Sequence, residues 1–169
     1  MAGDPVGPGT LRPRMKRSKK VILSLAIVAA LPLVGLVMMS WFAKAPDDLG
    51  VTDGRLTDCP SSPNCVGSQA SAESHRMAPL TFTGDAAAAK ERLREAIRSM
   101  PRSKIVEESE RYLRVEFTTA ILRFVDDVEF LIQPETNEIH FRSASRIGQS
   151  DLGANRKRMQ AVREAFDAD

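Results

Sequence analysis

The 169-residue sequence is poor in the groups from which most active centres are built. It holds two cysteines, Cys59 and Cys65, and two histidines, His75 and His140. Zinc takes about four ligands, and two cysteines with two distant histidines do not supply them at a recognisable spacing, so no metal is expected. A CxxC pair is missing, which argues against thiol–disulfide catalysis. G-x-S-x-G, H-E-x-x-H and phosphate-cradling glycine motifs are missing too, which takes weight from the familiar hydrolase and nucleotide-binding classes and leaves no cofactor expected. Net basic charge is confined to the N-terminus. Residues 1–20 carry six basic residues (Arg12, Arg14, Lys16, Arg17, Lys19, Lys20) against Asp4, a local +5, so the remainder sums to −3 within a whole-chain charge of +2. A mildly acidic domain lacks the clustered cations that neutralise phosphates, which excludes nucleic acid as a partner.

Charge is absent altogether from Val21 to Phe42, a run of 22 residues. At about 1.5 Å per residue it reaches roughly 33 Å, a membrane-spanning length. The basic residues precede it and only Lys44 follows closely, so the positive-inside bias places the N-terminus in the cytoplasm and the rest of the chain outside. Pro32 can kink such a helix without exposing polar groups to lipid, and Trp41 suits an interfacial anchor. The competing reading is a cleaved signal peptide, since Ala43-Lys44-Ala45 has the small-x-small form, leaving the domain secreted or periplasmic. The length of the apolar run and Pro46 just after the cut favour retention.

The expected organisation is a disordered basic tail over 1–20, a transmembrane helix over 21–42, a polar tether over 43–56 and an extracytoplasmic domain over 57–169. The spacing predicts a helix from Asp85 to Met100, capped by Thr83 or Asp85, with Leu93, Ala96, Ile97 and Met100 on one face and Pro101 ending it. Strands follow at Ile105 to Glu108, Tyr112 to Thr118, Arg123 to Ile132 and Ile139 to Arg146, with Pro134-Glu135-Thr136-Asn137 turning the last pair. Ser150 or Asp151 caps a final helix carrying Leu152, Met159, Val162 and Phe166. The fold class is α+β: an antiparallel four-stranded meander with two helices on one face, preceded by one transmembrane helix.

The last hairpin has a readable register. Pairing Ile132 with Ile139 sets Phe130 opposite Phe141 and Val128 opposite Ser143 on an apolar face, while Glu129 meets Arg142 on the other and Asp127 lies diagonally between Arg142 and Arg146. The plain reading is an exposed salt-bridge ladder, each pair worth at most about 1 kcal/mol. Asp126 falls on the apolar face opposite Ser145 and needs a buried partner, for which Ser145 and Arg156 are candidates. Asp126 and Asp127 are also the candidate catalytic acids. The stretch Arg142 to Asp151 combines a strand, a glycine-bearing loop and a helix start, and the amides there with Arg and Ser donors make a sensible anion site, although Asp151 as the cap opposes it. Asn155, Arg156, Lys157 and Arg158 crowd cations at the positive end of a helix dipole, which asks for a local reason: the two aspartates, an anionic ligand or a partner surface. Candidate ligand-binding residues are therefore Arg142, Ser145, Arg146, Ser150, Asn155 and Arg156. Both cysteines lie on the side expected outside, where disulfides persist, so a Cys59–Cys65 staple is expected.

Cys59-Pro60-Ser61-Ser62-Pro63-Asn64-Cys65-Val66, Phe124-Val125-Asp126-Asp127-Val128-Glu129-Phe130 and the stretch Arg142 to Arg158 together resemble the family called domain of unknown function 1499, across roughly residues 57 to 167. The resemblance implies a shared fold and that these three segments belong together. It implies no mechanism. Three readings stay open: a noncatalytic binding or interaction domain at the membrane surface, facing an envelope protein or an anionic small molecule through the Arg and Ser loop; an enzyme acting on an anionic small substrate through Asp126 or Asp127 with Arg142 and Arg146 stabilising charge; and a purely structural envelope component.

Overall fold

A computed structural model describes residues 19–168 of the chain, and within them the side chains of Leu33, Leu36 and Trp41 are not described. The basic tail, apart from Lys19 and Lys20, and the anchoring side chain of Trp41 thus lie outside what is described. Two units divide the chain, Met1–Gly35 and Leu36–Asp169. The described part of the first is helical and belongs to α1 (Lys19–Phe42), which is long and apolar enough to cross a membrane. Its described large apolar side chains are exposed, with Val37 half-buried, as expected of a helix whose solvent is not water.

The second unit is an α+β domain. Its elements after α1 are the short β1 (Val51–Thr52), β2 (Arg55–Leu56), β3 (Cys65–Gly67) and β4 (Leu80–Thr81), then α2 (Ala86–Ser99), β5 (Ser103–Glu108), β6 (Tyr112–Thr118), β7 (Val125–Gln133), β8 (Glu138–Ser145) and α3 (Ala154–Asp167). The expected four-stranded sheet is a six-stranded one. Strands β5 to β8 lie side by side in chain order, and β3 and β4 both add antiparallel to the free edge of β8. A separate two-stranded sheet joins β1 to β2 around Asp53-Gly54. The added strands are two or three residues long, too short to show alternation, and β3 forms because β8 presents unpaired backbone groups to it.

Sequence pattern decides which face is buried. Leu113, Val115 and Phe117 of β6, Val128, Phe130 and Ile132 of β7, and Ile139 and Phe141 of β8 point to one side and join Leu93, Ile97, Met159, Val162 and Phe166 from α2 and α3 in a single core. Asp85 caps α2 by accepting from the Ala88 amide at 3.1 Å. Arg92 lies 4.3 Å from the Phe166 ring centroid, a cation–π contact between the helices. Leu152 departs from the expected helical stripe: α3 begins two residues later, and Leu152 stands 90% exposed with φ 53° in the preceding loop.

The opposite face is covered as well. Residues 40–56 run along it beside β7: the Ser40 hydroxyl donates to the Arg123 carbonyl (2.6 Å), Arg146 Nη1 to the Ala43 carbonyl (3.3 Å), the Gly50 amide to Glu129 (2.6 Å) and Gln133 Nε2 to the Gly54 carbonyl (3.1 Å). Leu56 ends this strap in a small cluster with Tyr112 and Leu131. The segment expected as a tether therefore carries β1 and β2 and shields polar residues of the sheet.

Phe130 is fully buried at the centre of the core. Phe130→Ala is expected to destabilise the domain by about 3–5 kcal/mol through lost transfer energy and a residual cavity, read as a lower urea midpoint for the detergent-solubilised chain by far-ultraviolet circular dichroism.

Candidate functional site

The sequence Val125-Asp126-Asp127-Val128-Glu129 places successive side chains on alternate faces of β7, and the pairing with β8 follows the expected register: Asp126 opposite Ser145, Val128 opposite Ser143, Glu129 opposite Arg142 and Phe130 opposite Phe141. Two polar systems result, one on each side of the sheet.

Beneath the strap, Arg146 grips Asp127 with two hydrogen bonds of 2.7 and 2.8 Å and also reaches Glu116. Arg142 Nη1 meets Glu129 at 3.3 Å, and Tyr112 donates to Glu129 at 2.8 Å. Arg114 lies 3.7 Å from Asp127. The ladder expected at the surface is thus enclosed, with Glu129 fully buried and Asp127 and Arg142 nearly so, because residues 40–56 lie over it. Hydrogen bonding to Asp127 raises the already high pKa of Arg146, with Glu116 reinforcing and burial opposing. Burial pushes the Glu129 carboxyl up, outweighing the Gly50 amide, Tyr112 and Arg142, and burial with the neighbouring Glu129 charge pushes the Tyr112 phenol up.

On the helix side, Asp126 finds its partner in Arg158, whose guanidinium also lies 4.9 Å from the Phe117 ring centroid. The expected partner Arg156 instead donates to the Ser74 and Arg76 carbonyls. Two residues along a helix is a turn of about 200°, so these arginines flank the face of Asn155 and Met159 on opposite sides and reach different neighbours. Asn155 is fully buried and spends its amide within the fold: Ser143 donates to it at 2.6 Å, and its Nδ2 donates to the Asn64 carbonyl (2.9 Å) and to Ser145 (3.1 Å). Asp151 accepts from the Gly153 and Asn155 amides (2.9 and 2.7 Å), and although burial opposes, these bonds hold its carboxyl below the ordinary range. Ser150 lies exposed in the same loop, where its hydroxyl accepts from the Leu152 amide at 3.3 Å.

Asn64, to which residue spacing assigns no role, joins the cysteine loop to the Arg142–Arg158 segment. Its Nδ2 donates to the Gly148 carbonyl (2.7 Å) and its own carbonyl accepts from the Ser145 amide (3.1 Å), while β3 pairs Cys65 with Ala144 and Val66 with Ser143. Cys59 and Cys65 sit at disulfide distance, with Cα atoms 5.7 Å apart. The one available signal was Asn64 itself, a polar residue between Pro63 and Cys65 in a loop. An open cleft of about 440 Å³ results, with Pro46 of the strap and Pro60, Ser62 and Asn64 of the cysteine loop around Asp127, Arg142 and Arg146. Arg142 Nε is buried without a hydrogen-bond partner among the described residues. Of the expected ligand-binding residues, Arg142, Ser145 and Arg146 line this cleft, whereas Ser150, Asn155 and Arg156 do not.

A larger recess, about 710 Å³, opens between the β1–β2 hairpin and the Ser68–His140 pair. Ser68 Oγ is 3.1 Å from His140 Nδ1, but it also accepts from the Phe141 amide at 2.9 Å, and His140 Nε2 lies 3.0 Å from Gln133. These bonds clasp Ser68 to β8, and burial holds the imidazole below its ordinary pKa, so it is mostly neutral near pH 7.

The two polar systems make different demands on a variant. Asp126→Asn leaves Arg158 without its counter-charge and is expected to cost about 3–5 kcal/mol, with Arg158→Met in the same chain recovering part of that loss in a double-mutant cycle of urea midpoints. Glu129 holds its proton to higher pH in the fold than in the unfolded chain. Its contribution is therefore full below the ordinary glutamate value of about 4.3 and is lost as pH rises through the folded value. Glu129→Gln does not titrate, so its stability relative to the natural chain should climb as pH rises from about 4 to 8. A flat or falling difference across urea midpoints in that range would show the carboxylate ionising no less readily in the fold.

No curated protein matches the chain. The profile of a family described as protein of unknown function, DUF1499, matches residues 55–166, which run from β2 to the last turn of α3 and contain the cysteine loop, the acidic strand and the Arg- and Ser-bearing loop. The chain belongs to the DUF1499 family.

Proposed function

We propose that this protein is a noncatalytic binding module, anchored by α1 with its N-terminus in the cytoplasm and its DUF1499 domain outside, and that the cleft between the cysteine loop and Arg142/Arg146 receives a polar segment of an envelope protein. The observation that carries the reading is the state of the charged groups in the cleft floor. Asp127 is held by Arg146, which favours recognition over proton transfer because a general base must be free to reach its substrate. Arg142 Nε, buried and unpartnered among the described residues, calls for an acceptor oxygen such as a carbonyl or carboxylate. Asp48, Asp58 and Asp127 share the lining with Arg142 and Arg146, a mixture of signs that suits a polar peptide better than a strongly anionic ligand. The basic residues before Val21 and the paired cysteines after Phe42 support the orientation.

Photocrosslinking residues placed at Pro60 and Pro46 of the full chain in native membranes should yield the same discrete protein adduct, and one placed at Thr136 should not. Absence of an adduct, together with a melting temperature shifted by small polar metabolites, would move the reading to a small-molecule ligand. Absence of both would leave the cleft a structural feature.

A further inference from the structure

At the end of the domain where β7 begins and β8 ends, two loops carry apolar side chains into solvent. Ile121 is 87% exposed and Leu152 is 90% exposed. Between them lies a mainly apolar recess of about 400 Å³ lined by Met39, Leu122, Phe124, Ile147 and Leu152, with Thr119, Asp126, Ser145, Ser150 and Asp151 as the polar part of its lining. Those polar groups are already bonded, Asp126 to Arg158, Ser145 to Asn155, and Thr119, Ser150 and Asp151 to backbone amides close by in the chain, so they do not call for a polar guest. Water is a poor solvent for such a surface. The backbone holds it outward: Arg123 and Leu152 both adopt left-handed conformations, φ 58° and 53°, which side-chain-bearing residues seldom do.

The same loops touch the end of α1. Met39 lines the recess and the Ser40 hydroxyl donates to the Arg123 carbonyl, both within the compact unit Leu36–Asp169. The apolar run from Val21 reaches roughly 33 Å by Phe42, against a hydrocarbon core of about 30 Å, so residues 39–42 stand at the boundary between acyl chains and headgroups. Loop 119–124 is tied to that level through Ser40. Arg123 and Lys44 are exposed beside it, where cationic side chains meet lipid phosphates.

We infer that this apolar end of the domain, formed by loops 119–124 and 147–152, is a second membrane contact, with Ile121 and Leu152 seated in the interfacial layer of the bilayer that α1 crosses. The inference rests on the anchored reading of α1. Its consequence is that the domain is held against the lipid surface, which gives the three-residue link from Phe42 to Pro46 little freedom to swing it away.

The test uses the full chain with its single tryptophan removed (Trp41→Phe), reconstituted into phosphatidylcholine vesicles with or without brominated acyl chains. Ile121→Trp and Leu152→Trp are placed one at a time, with Thr136→Trp at the far end of β7 as control. Both sites are solvent-exposed, so neither substitution disturbs the core. The expected result is blue-shifted emission and loss of intensity in brominated vesicles for Ile121→Trp and Leu152→Trp, with Thr136→Trp quenched instead by aqueous acrylamide. A chain that alkaline carbonate strips from the vesicles overturns both the anchor and the contact. A chain that stays with the vesicles while Ile121→Trp and Leu152→Trp emit as in water overturns the contact alone.

Discussion

The pleat of β7 is the constraint on which the rest of the domain depends. Because neighbouring residues of a strand face opposite ways, Asp126 and Asp127 cannot share a site, and each must be matched in a different layer. Arg158 of α3 matches Asp126 and Arg146 from the end of β8 matches Asp127. One dipeptide therefore ties the sheet to its helix on one side and to the end of the neighbouring strand β8 on the other. Charges this deeply enclosed are tolerated only when paired and hydrogen-bonded, so the two pairs also specify how α3 and the strap are placed.

The strap over the outer face changes what the ladder means. Left open to water, Glu129, Arg142, Asp127 and Arg146 would be four surface charges of little energetic weight. Residues 40–56 remove them from solvent, and the Gly50 amide and Tyr112 hydroxyl complete the shell of Glu129. The cleft at the cysteine loop lies at this covered face. Its arginines are consequently structural members that also present a surface, which is the usual condition of a rigid recognition site.

Asn64 and Asn155 show why the cysteine loop and the Arg142–Arg158 segment occur together. Two amides, each with both donor and acceptor capacity, connect the cysteine loop, the end of β8 and the first turn of α3. No apolar residue could take that place without leaving buried carbonyls unsatisfied. Much of what first reads as an anion site in Ser145, Asn155 and Arg156 is this internal wiring. What remains facing outward is a polar cleft on one side and an apolar rim near the end of α1.

Local chemistry was legible in the sequence. The apolar run of α1, the capped and Pro101-terminated α2, the alternation in β6 and the register of the β7–β8 hairpin all follow from residue spacing, because each involves neighbours in the chain or a partner one short turn away. The strands β3 and β4, the strap and the Arg158–Asp126 pair were not legible. Each depends on segments tens of residues apart meeting, and on strands too short to carry a period of their own. Asp53-Gly54 between Val51 and Leu56 was the one local hint of the β1–β2 hairpin. By itself, then, the sequence determined the membrane-length helix, the α+β class and the face each β7 acid must take, since those rest on length and periodicity. Only the tertiary structure decided that the ladder is buried, which helix arginine meets Asp126 and where the cleft opens, because burial and pairing at long range depend on how layers stack rather than on local order.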